Sequence, residues 1–385
     1  MSMIAFDYQP ITRMVFGPGK IESLGELARE LGGHRAMVVS DPGVIAAGHA
    51  AKGMQALERA GLEVLLFHEV HENPTTADVD LGVGVARQFA PDILVGLGGG
   101  SSMDCAKGIN FLLTNGGRMH DYWGVGKAKL PMLPMIAAPT TSGTGSESQS
   151  FALISDAETH VKMACGDKKA AFKVALLDPV LTLTQPPRVT ALTGIDAISH
   201  ALESYVTTRR NAASLAFSRE AWQLLAPSFS AVLRNPLDLT ARSGMQLGAC
   251  FAGLAIENSM LGAAHALANP LTTEYGIAHG QAIGLMLPHV LRFNGQVVGE
   301  LYCELLEATG GAAGFPSPAE GVEGLARFVA RLVSEAGLPG RLSECGVEQT
   351  RLHHLAEFAA KQWTGTFNPR PVGVAELLAI YQSAY

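Results

Sequence analysis

Short apolar runs alternate with amphipathic helical patterns through the first half of the chain. The runs are rich in Val, Ile, Leu and Ala, and each ends at or near turn-forming residues; they cover residues 36–40, 62–67, 93–97, 134–138 and 173–177. Apolar positions between them recur with helical spacing, as in residues 21–31 and 77–89. Strands that alternate with helices predict a mostly parallel, Rossmann-like sheet with helices on both faces.

The pattern changes near residue 185, after which long helical periodicities dominate. They cover residues 191–206, 215–226, 241–255 and 322–336. We therefore predict an α/β domain over residues 1–185 and an all-helical domain over residues 186–385. The stretch 309–321 is rich in Gly, Ala and Pro and is predicted to be a loop.

Composition narrows the class of protein. The 385 residues carry a net charge of -7, with 48% apolar and 16% charged residues. That content supports a large core and argues against disorder, nucleic-acid binding or an anionic membrane partner. The N-terminus lacks a signal-peptide pattern and no apolar run reaches about 18 residues, so we expect a cytoplasmic protein. The five cysteines form no CxxC pair, which favours scattered buried thiols over a disulfide framework.

A glycine-rich turn follows the third predicted strand and precedes a helix predicted over residues 105–113. It reads Gly98-Gly99-Gly100-Ser101. Glycines let a backbone approach a pyrophosphate closely, and a helix N-terminus offers free N–H donors. The turn lacks the GxGxxG spacing, and it would also suit a flexible turn without a ligand.

Two further strand ends carry polar groups. Residues 139–147 are rich in hydroxyls and glycine, which suits phosphate and ribose binding or a polar loop that caps a helix. Asp41 follows the first predicted strand directly. Its carboxylate would accept hydrogen bonds from ribose hydroxyls and repel a 2′-phosphate, which favours NAD over NADP. The sequence Asp41-Pro42-Gly43 also suits a plain turn, and both interpretations can hold together.

The helical half contains a possible metal site. Asp196 and His200 lie four residues apart, so they share one face of a predicted helix whose neighbours are apolar. Such a pair needs a partner, which can be a metal or simply each other. His265 and His279 also lie among small or apolar residues, where a single histidine is more often a core residue than a ligand. One carboxylate with three imidazoles is nevertheless a plausible site for a divalent transition metal.

The number of ligands bears on the choice of metal. A catalytic zinc usually keeps three protein ligands and one open position, so four protein ligands would fill a tetrahedral site. Iron(II) expands its coordination more readily, which favours Fe2+, although affinity alone ranks Zn2+ higher.

Together these segments resemble the iron-containing (group III) alcohol dehydrogenase family over nearly the whole chain. The motifs that carry the resemblance are Val15-Phe16-Gly17-Pro18-Gly19, Gly98-Gly99-Gly100-Ser101 with Asp104 and Lys107, residues 139–147, residues 193–200, Leu287-Pro288-His289 and Asn368-Pro369-Arg370. Each is modest alone, but their order and spacing are specific. The resemblance implies a two-domain architecture shared with dehydroquinate synthase, and dimers or larger homo-oligomers.

The resemblance also implies the roles of individual residues. The metal ligands fall on Asp196, His200, His265 and His279, the last two being fourteen residues apart. The implied dinucleotide contacts are Asp41, Asn73, Gly99, Gly100, Ser101, Asp104, Thr140, Thr141, Thr144 and Lys162.

One position departs from the family pattern. Many members carry a histidine four residues after the third ligand, near the nicotinamide, where this chain has Asn269. A carboxamide cannot titrate, so either water and ribose hydroxyls release the proton or Asn269 only orients the substrate. We place Asn269 and His265 in the predicted catalytic set. Gln149 and Phe151 also look unusual for the family and indicate an unusual substrate.

The predicted function is the interconversion of a small alcohol and its aldehyde or ketone by hydride transfer with NAD(H). The metal would act as a Lewis acid on the substrate hydroxyl. One alternative is a dehydroquinate synthase-like lyase that uses NAD and a metal, but the metal motifs lack the Arg and Lys that a phosphorylated anion requires. A non-catalytic binding protein with a relic site is the other alternative, and the presence of all four implied ligands argues against it.

Overall fold

The computed structural model describes residues 4–309 and 317–385, and the chain divides into two compact units. One unit contains Gln9–Gln185, and the other contains Pro186–Tyr385 together with the described residues up to Tyr8. The first unit is α/β and the second is helical, which confirms the predicted fold class. The described residues before Gln9 group with the helical unit, whereas the predicted domain boundary assigned them to the α/β domain.

A parallel sheet forms the centre of the α/β unit. Among the described residues the strands are β1 (Arg13–Phe16), β2 (Arg35–Val39), β3 (Glu63–Phe67), β4 (Ile93–Gly98), β5 (Gly124–Val125), β6 (Met135–Pro139), β7 (Phe151–Ser155), β8 (Lys162–Gly166) and β9 (Val174–Leu177). Six of them pair in the order β1-β9-β6-β4-β2-β3, every pair parallel. Strands β4, β6 and β9 are buried along their whole length, because helices cover both faces of such a sheet.

The helices of this unit connect successive strands. They are α1 (Leu24–Glu30), α2 (Pro42–Ala46), α3 (His49–Arg59), α4 (Thr76–Phe89) and α5 (Gly100–Asn115). Helix α4 begins at a capping box, in which Thr75 and Asp78 each bond the other's backbone N–H. Helix α5 begins at Gly100 instead of the predicted residue 105, so the Gly-Ser sequence is itself the first helical turn.

A second, smaller sheet was not predicted from the sequence. It contains β5, β8 and β7 in that order, with β7 antiparallel to β8. The sequence pattern missed it because β5 has two residues and β7 alternates buried and exposed positions instead of forming a continuous apolar run. Of its three strands, β7 begins at Phe151, shortly after the polar turn at residues 139–147.

The second unit contains helices and no strand among its described residues. The helices are α6 (Pro187–Val206), α7 (Ala212–Arg234), α8 (Leu239–Glu257), α9 (Ala263–Tyr275), α10 (His279–Glu307), α11 (Pro318–Glu335), α12 (Leu352–Ala359) and α13 (Val374–Ser383). Most of the loop predicted at 309–321 lies outside the described residues, and α11 begins within its last part. Within residues 4–309 and 317–385, the helices lack the combination of length and apolar character that crossing a bilayer requires.

Helix α6 is the central element of this unit. Every residue from Gly194 to Val206 is buried, and α6 packs against α7, α8 and α10. Gly194 permits this close packing, since a Cβ there would lie 2.3 Å from the ring of Phe229. Polar side chains on α6 are therefore held inside the core and must find partners there.

Candidate functional site

Three buried polar side chains of α6 share one helical face. Asp196, His200 and Glu203 lie at positions i, i+4 and i+7, which places them one above the other. Two other elements bring histidines to the same place: His265 lies in the first turn of α9, and His279 is the first residue of α10. The site is thus built entirely within the helical unit.

The four predicted metal ligands meet at one carboxylate oxygen. Oδ1 of Asp196 lies 3.3 Å from Nε2 of His200 and 3.6 Å from Nε2 of both His265 and His279. The ring of His265 stacks on that of His200 at 5.0 Å and lies 5.3 Å from that of His279. Asp196, His265 and His279 each offer a ligand atom within 4.8 Å of the others. His200 joins them through its contact with Asp196.

The donor atoms suit a divalent cation. Oδ1 of Asp196 and Nε2 of His265 are buried and make no hydrogen bond within the described part of the chain. Leaving a buried polar atom unpaired costs about 1–3 kcal/mol, and two of them face each other here. A carboxylate oxygen with imidazole nitrogens is a ligand set that divalent iron and zinc accept. The residues therefore fit the metal that the sequence indicates.

The electrostatics of the site are those of a carboxylate surrounded by imidazoles. Burial alone would raise the pKa of Asp196, but the three imidazoles hold it well below its usual value. Burial likewise disfavours the charged form of His265, yet the carboxylates of Glu203 and Asp196 outweigh it and raise the pKa of that imidazole to about 9. In the absence of a cation, the neighbouring imidazoles therefore stabilise the charged carboxylate of Asp196.

Glu203 belongs to the site, although it is not among the residues predicted from the sequence. Its Oε2 lies 2.5 Å from Nδ1 of His265, and its Oε1 accepts a 2.7 Å hydrogen bond from the N–H of Ala264. The sequence around His265 is apolar, so the carboxylate comes entirely from α6. Its spacing of seven residues from Asp196 was the signal available in the sequence.

Asn269 has a fixed partner. It lies one helical turn beyond His265 on α9, and its Nδ2 donates a 2.9 Å hydrogen bond to Oε1 of Gln362. Gln362, which no sequence motif indicated, precedes a short 3-10 helix at Trp363–Phe367. The amide of Asn269 is thus held in one orientation with an oxygen that can still accept a hydrogen bond.

The two turns predicted to bind a dinucleotide pack against each other in the α/β unit. The N–H of Thr140 donates to the carbonyl of Gly98 at 2.9 Å, across the ends of β6 and β4. A Cβ on Gly100 would lie only 2.7 Å from Cγ2 of Thr144. Glycine is needed there for this contact, and α5 begins with its free N–H groups beside the threonines.

Asp41 joins this group from the end of β2. Its Oδ1 accepts a 3.1 Å hydrogen bond from the N–H of Val44 and so caps α2, while its Oδ2 accepts a 3.0 Å hydrogen bond from the hydroxyl of Ser102. Both sequence interpretations are compatible with this geometry, because a carboxylate can accept further hydrogen bonds beyond these two.

A buried lysine fixes the polar turn. Nζ of Lys107 donates at 2.8 Å to both the carbonyl and the hydroxyl oxygen of Ser146, and at 2.7 Å to the carbonyl of Phe151. The Ser146 hydroxyl donates at 2.6 Å to Asp104, whose pKa burial raises. Asp104 therefore bonds mainly to other protein groups, and together with Lys107 it fixes the position of Ser146 in the turn.

The remaining predicted positions lie around these turns. The N–H of Asn73, which has a positive φ of 54°, donates to Oγ of Ser101 at 3.2 Å. Nε2 of Gln149 donates to the carbonyl of Thr144 at 2.8 Å, so this side chain belongs to the polar turn. Lys162 is exposed on β8 and its charge acts on Asp104.

Two family descriptions match the chain. "Iron-containing alcohol dehydrogenase" matches residues 11–179. "Fe-containing alcohol dehydrogenase family, C-terminal" matches residues 190–385. Together they cover both structural units.

Known proteins resemble the chain over its full length. It is 34% identical to a 1,3-propanediol dehydrogenase of Klebsiella pneumoniae, with 100% of each chain covered. It is 33% identical to an NAD-dependent methanol dehydrogenase of Bacillus methanolicus, over 96% of this chain and 97% of that one. The crystal structure of a 1,3-propanediol oxidoreductase superposes with a TM-score of 0.96 at 34% identity, covering 99% of this chain and 100% of that one.

Proposed function

Because this chain belongs to the iron-containing alcohol dehydrogenase family, we propose that its helical unit holds the iron and its α/β unit binds NAD(H). The reaction is the NAD-linked interconversion of an alcohol and its aldehyde or ketone. The observation that carries the proposal is the meeting of one carboxylate and three imidazoles, with two buried ligand atoms that make no hydrogen bond in the described chain. Neither the lyase nor the relic-site alternative has a comparable observation in its favour.

The proposed ligands of the iron all lie in the helical unit. They are Asp196, His200, His265 and His279. Bound iron supplies Lewis acidity that favours loss of the alcohol proton, and bound NAD+ supplies the hydride acceptor. Burial of Asp196 and His265 keeps water away and strengthens every charge interaction at the site. Zn2+ would suit the same donor atoms.

Asn269 and Gln362 would orient the substrate. Asn269 follows His265 by one turn of α9, and its hydrogen bond to Gln362 leaves Oδ1 available as an acceptor. A hydroxyl that donates to this oxygen would be held in a fixed direction, which is a contribution of geometry and not of proton relay. The proton would then leave through water or ribose hydroxyls.

The proposed contacts to NAD lie on the turns of the α/β unit. They are Asp41, Asn73, Gly99, Gly100, Ser101, Asp104, Thr140, Thr141, Thr144 and Lys162. The close packing of Gly100 on Thr144 supports this assignment, because it leaves the first N–H groups of α5 beside a row of hydroxyls. Asp41 would accept from the adenosine ribose and exclude a 2′-phosphate.

The substrate we propose is a small alcohol, diol or aldehyde. The residues around the metal ligands are mainly Ala, Leu and Gly, which suits a weakly polar molecule. The related proteins from Klebsiella pneumoniae and Bacillus methanolicus are named for 1,3-propanediol and methanol. A short diol fits this combination.

We also propose that the protein works in the cytoplasm as a homodimer or larger homo-oligomer. All five cysteines lie in the described residues and no disulfide joins them, in keeping with a reducing compartment. Strand β1 lies at the edge of the sheet, and Met14 and Phe16 on it are each 39% exposed. A second copy would cover this apolar edge, and light scattering at several concentrations tests whether one does.

A screen of short alcohols and diols tests the function. Protein loaded with Fe2+ under anaerobic conditions is mixed with NAD+ and each alcohol, and NADH is followed by fluorescence. We expect NADH to accumulate with at least one short alcohol or diol, and Asp196→Ala to abolish that signal. NADH formation by Asp196→Ala at the wild-type rate would refute the proposed site.

A further inference from the structure

Glu203 contacts two neighbouring groups at the start of α9 with its two oxygen atoms. Oε1 accepts from the N–H of Ala264 at 2.7 Å, and Oε2 lies 2.5 Å from Nδ1 of His265. Glu203 itself is only 4% exposed. A buried carboxylate with two short contacts is held in one position, so the group that it contacts is held as well.

The start of α9 is shaped to admit this carboxylate. A Cβ on Gly262 would lie 3.0 Å from Oε1 of Glu203 and 3.0 Å from Oδ1 of Asn368. Asn368 accepts from the N–H of Ala263 at 3.2 Å. Two acceptors from distant segments therefore satisfy two successive free N–H groups of the helix, and only one of them also reaches the imidazole.

An ionised carboxylate can only accept hydrogen bonds, so it fixes which nitrogen of the imidazole carries the proton. With Oε2 facing Nδ1, the neutral ring of His265 has its proton on Nδ1 and its lone pair on Nε2. Nε2 is the atom that lies 3.6 Å from Oδ1 of Asp196. The lone pair thus faces the other proposed ligands.

We infer that Glu203 is a positioning residue of the metal site: it holds His265 in the one tautomer and ring orientation that can bind a metal through Nε2. This inference rests on the proposed metal ligands. Outer partners of this kind typically contribute about 10- to 100-fold to metal affinity. Glu203 is not one of the proposed metal ligands.

Glu203→Gln is the informative substitution. A glutamine of the same shape can accept from the N–H of Ala264 only by turning its NH2 group toward Nδ1 of His265. That nitrogen must then accept, which places the proton on Nε2 and blocks the lone pair. If the amide turns the other way, the N–H of Ala264 loses its acceptor.

The matched control is Asn368→Ala. It removes the acceptor of the N–H of Ala263 at the same helix end and leaves the imidazole untouched. Four single variants are titrated with Co2+: Glu203→Gln, Asn368→Ala, Asp196→Ala and His265→Ala. The visible absorption of Co2+ reports its ligand field. We expect the Kd for Co2+ to rise about 10- to 100-fold in Glu203→Gln with an altered spectrum, whereas Asn368→Ala lowers the melting temperature but binds Co2+ as the wild type does.

The outcomes separate two failures. Normal binding by Asp196→Ala and His265→Ala would refute the proposed metal site itself. Loss of binding in those two but wild-type affinity in Glu203→Gln, or an equal loss in Asn368→Ala, would overturn the role of Glu203 alone. A measurement on the wild type needs no variant: in Zn2+-loaded protein with 15N-labelled histidine, the Nδ1 proton of His265 is expected to be protected from exchange with solvent. Rapid exchange of that proton would also overturn the inference.

Discussion

The side-chain amide of Asn269 donates a 2.9 Å hydrogen bond to Oε1 of Gln362. This contact fixes the orientation of a carboxamide one helical turn after His265. The amide has no proton to lose or gain in the neutral range. We therefore propose that Asn269 holds the substrate and does not carry the proton.

Asn269→Ala is expected to lower kcat by about 10-fold, because the substrate loses an orienting acceptor. Iron content should remain as in the wild type. Gln362→Ala is the matched control. It should lower kcat less, since Asn269 keeps its own oxygen as an acceptor for the substrate but loses the hydrogen bond that fixes the direction of its amide. Steady-state kinetics and metal analysis of both variants check this. An Asn269→Ala enzyme with wild-type kcat would remove the residue from the catalytic set.

Asp41→Asn is expected to shift the cofactor preference toward NADP by about 10-fold or more in kcat/KM, since the negative charge that repels the 2′-phosphate is gone. Asparagine keeps an oxygen that can accept from the N–H of Val44, so the cap of α2 survives. Ser102→Ala serves as the control: it removes the hydrogen bond to Asp41 but not its charge, and the preference for NAD should persist. An unchanged ratio in Asp41→Asn would show that another group sets the preference.

Gly100→Ala is expected to weaken NAD binding, because its Cβ would lie 2.7 Å from Cγ2 of Thr144 and push the two turns apart. Gly84 on α4 is the matched control. A Cβ there meets nothing within 4 Å, so Gly84→Ala should leave NAD binding unchanged. It should also raise stability by about 0.5–1 kcal/mol, the usual gain in a helix interior. Fluorescence titration with NADH and thermal unfolding measure both effects, and equal affinities in the two variants would contradict the assignment of the turn.

The stability of the metal-free protein should fall as the pH rises from 6.5 toward 9. The pKa of His265 is raised from 6.5 to about 9 in the fold, so the stabilisation is fully present below 6.5 and is lost as the pH passes through about 9. The effect is at most on the order of 3 kcal/mol, at about 1.4 kcal/mol per pKa unit. Metal competes with that proton, so added metal should stabilise more at the higher pH. Urea unfolding at both pH values, with and without Zn2+, tests this. A metal-free protein that becomes more stable between pH 6.5 and 9 would contradict the raised pKa of His265.

The parallel sheet was predictable because its strands are short apolar runs that end at turns. Residues 93–97, for example, form β4 within one residue of the prediction. Strand β1 was missed because most of its residues are exposed, and β7 because it alternates. A strand at the edge of a sheet or in a small sheet buries little apolar surface, so it does not appear as a continuous apolar run in the sequence.

The site was predictable in part, for a different physical reason. Asp196 and His200 share a helical face, which spacing alone reveals. Glu203 shares the helical face of Asp196 by its spacing, but its contact with His265 of α9 and that of Gln362 with Asn269 join segments far apart in the sequence, and no local pattern predicts them. Lys107 was noted only as part of a motif, and its buried contacts with Ser146 and Phe151 emerge only once the polar turn folds over α5.

Crystals of the Fe2+-loaded protein, measured on both sides of the iron absorption edge, test the central claim most directly. We expect one anomalous peak per chain, within coordination distance of a carboxylate oxygen of Asp196 and of Nε2 of His265, with His200 and His279 as its other protein ligands. No peak among these four residues, or a peak at another set of side chains, would contradict it.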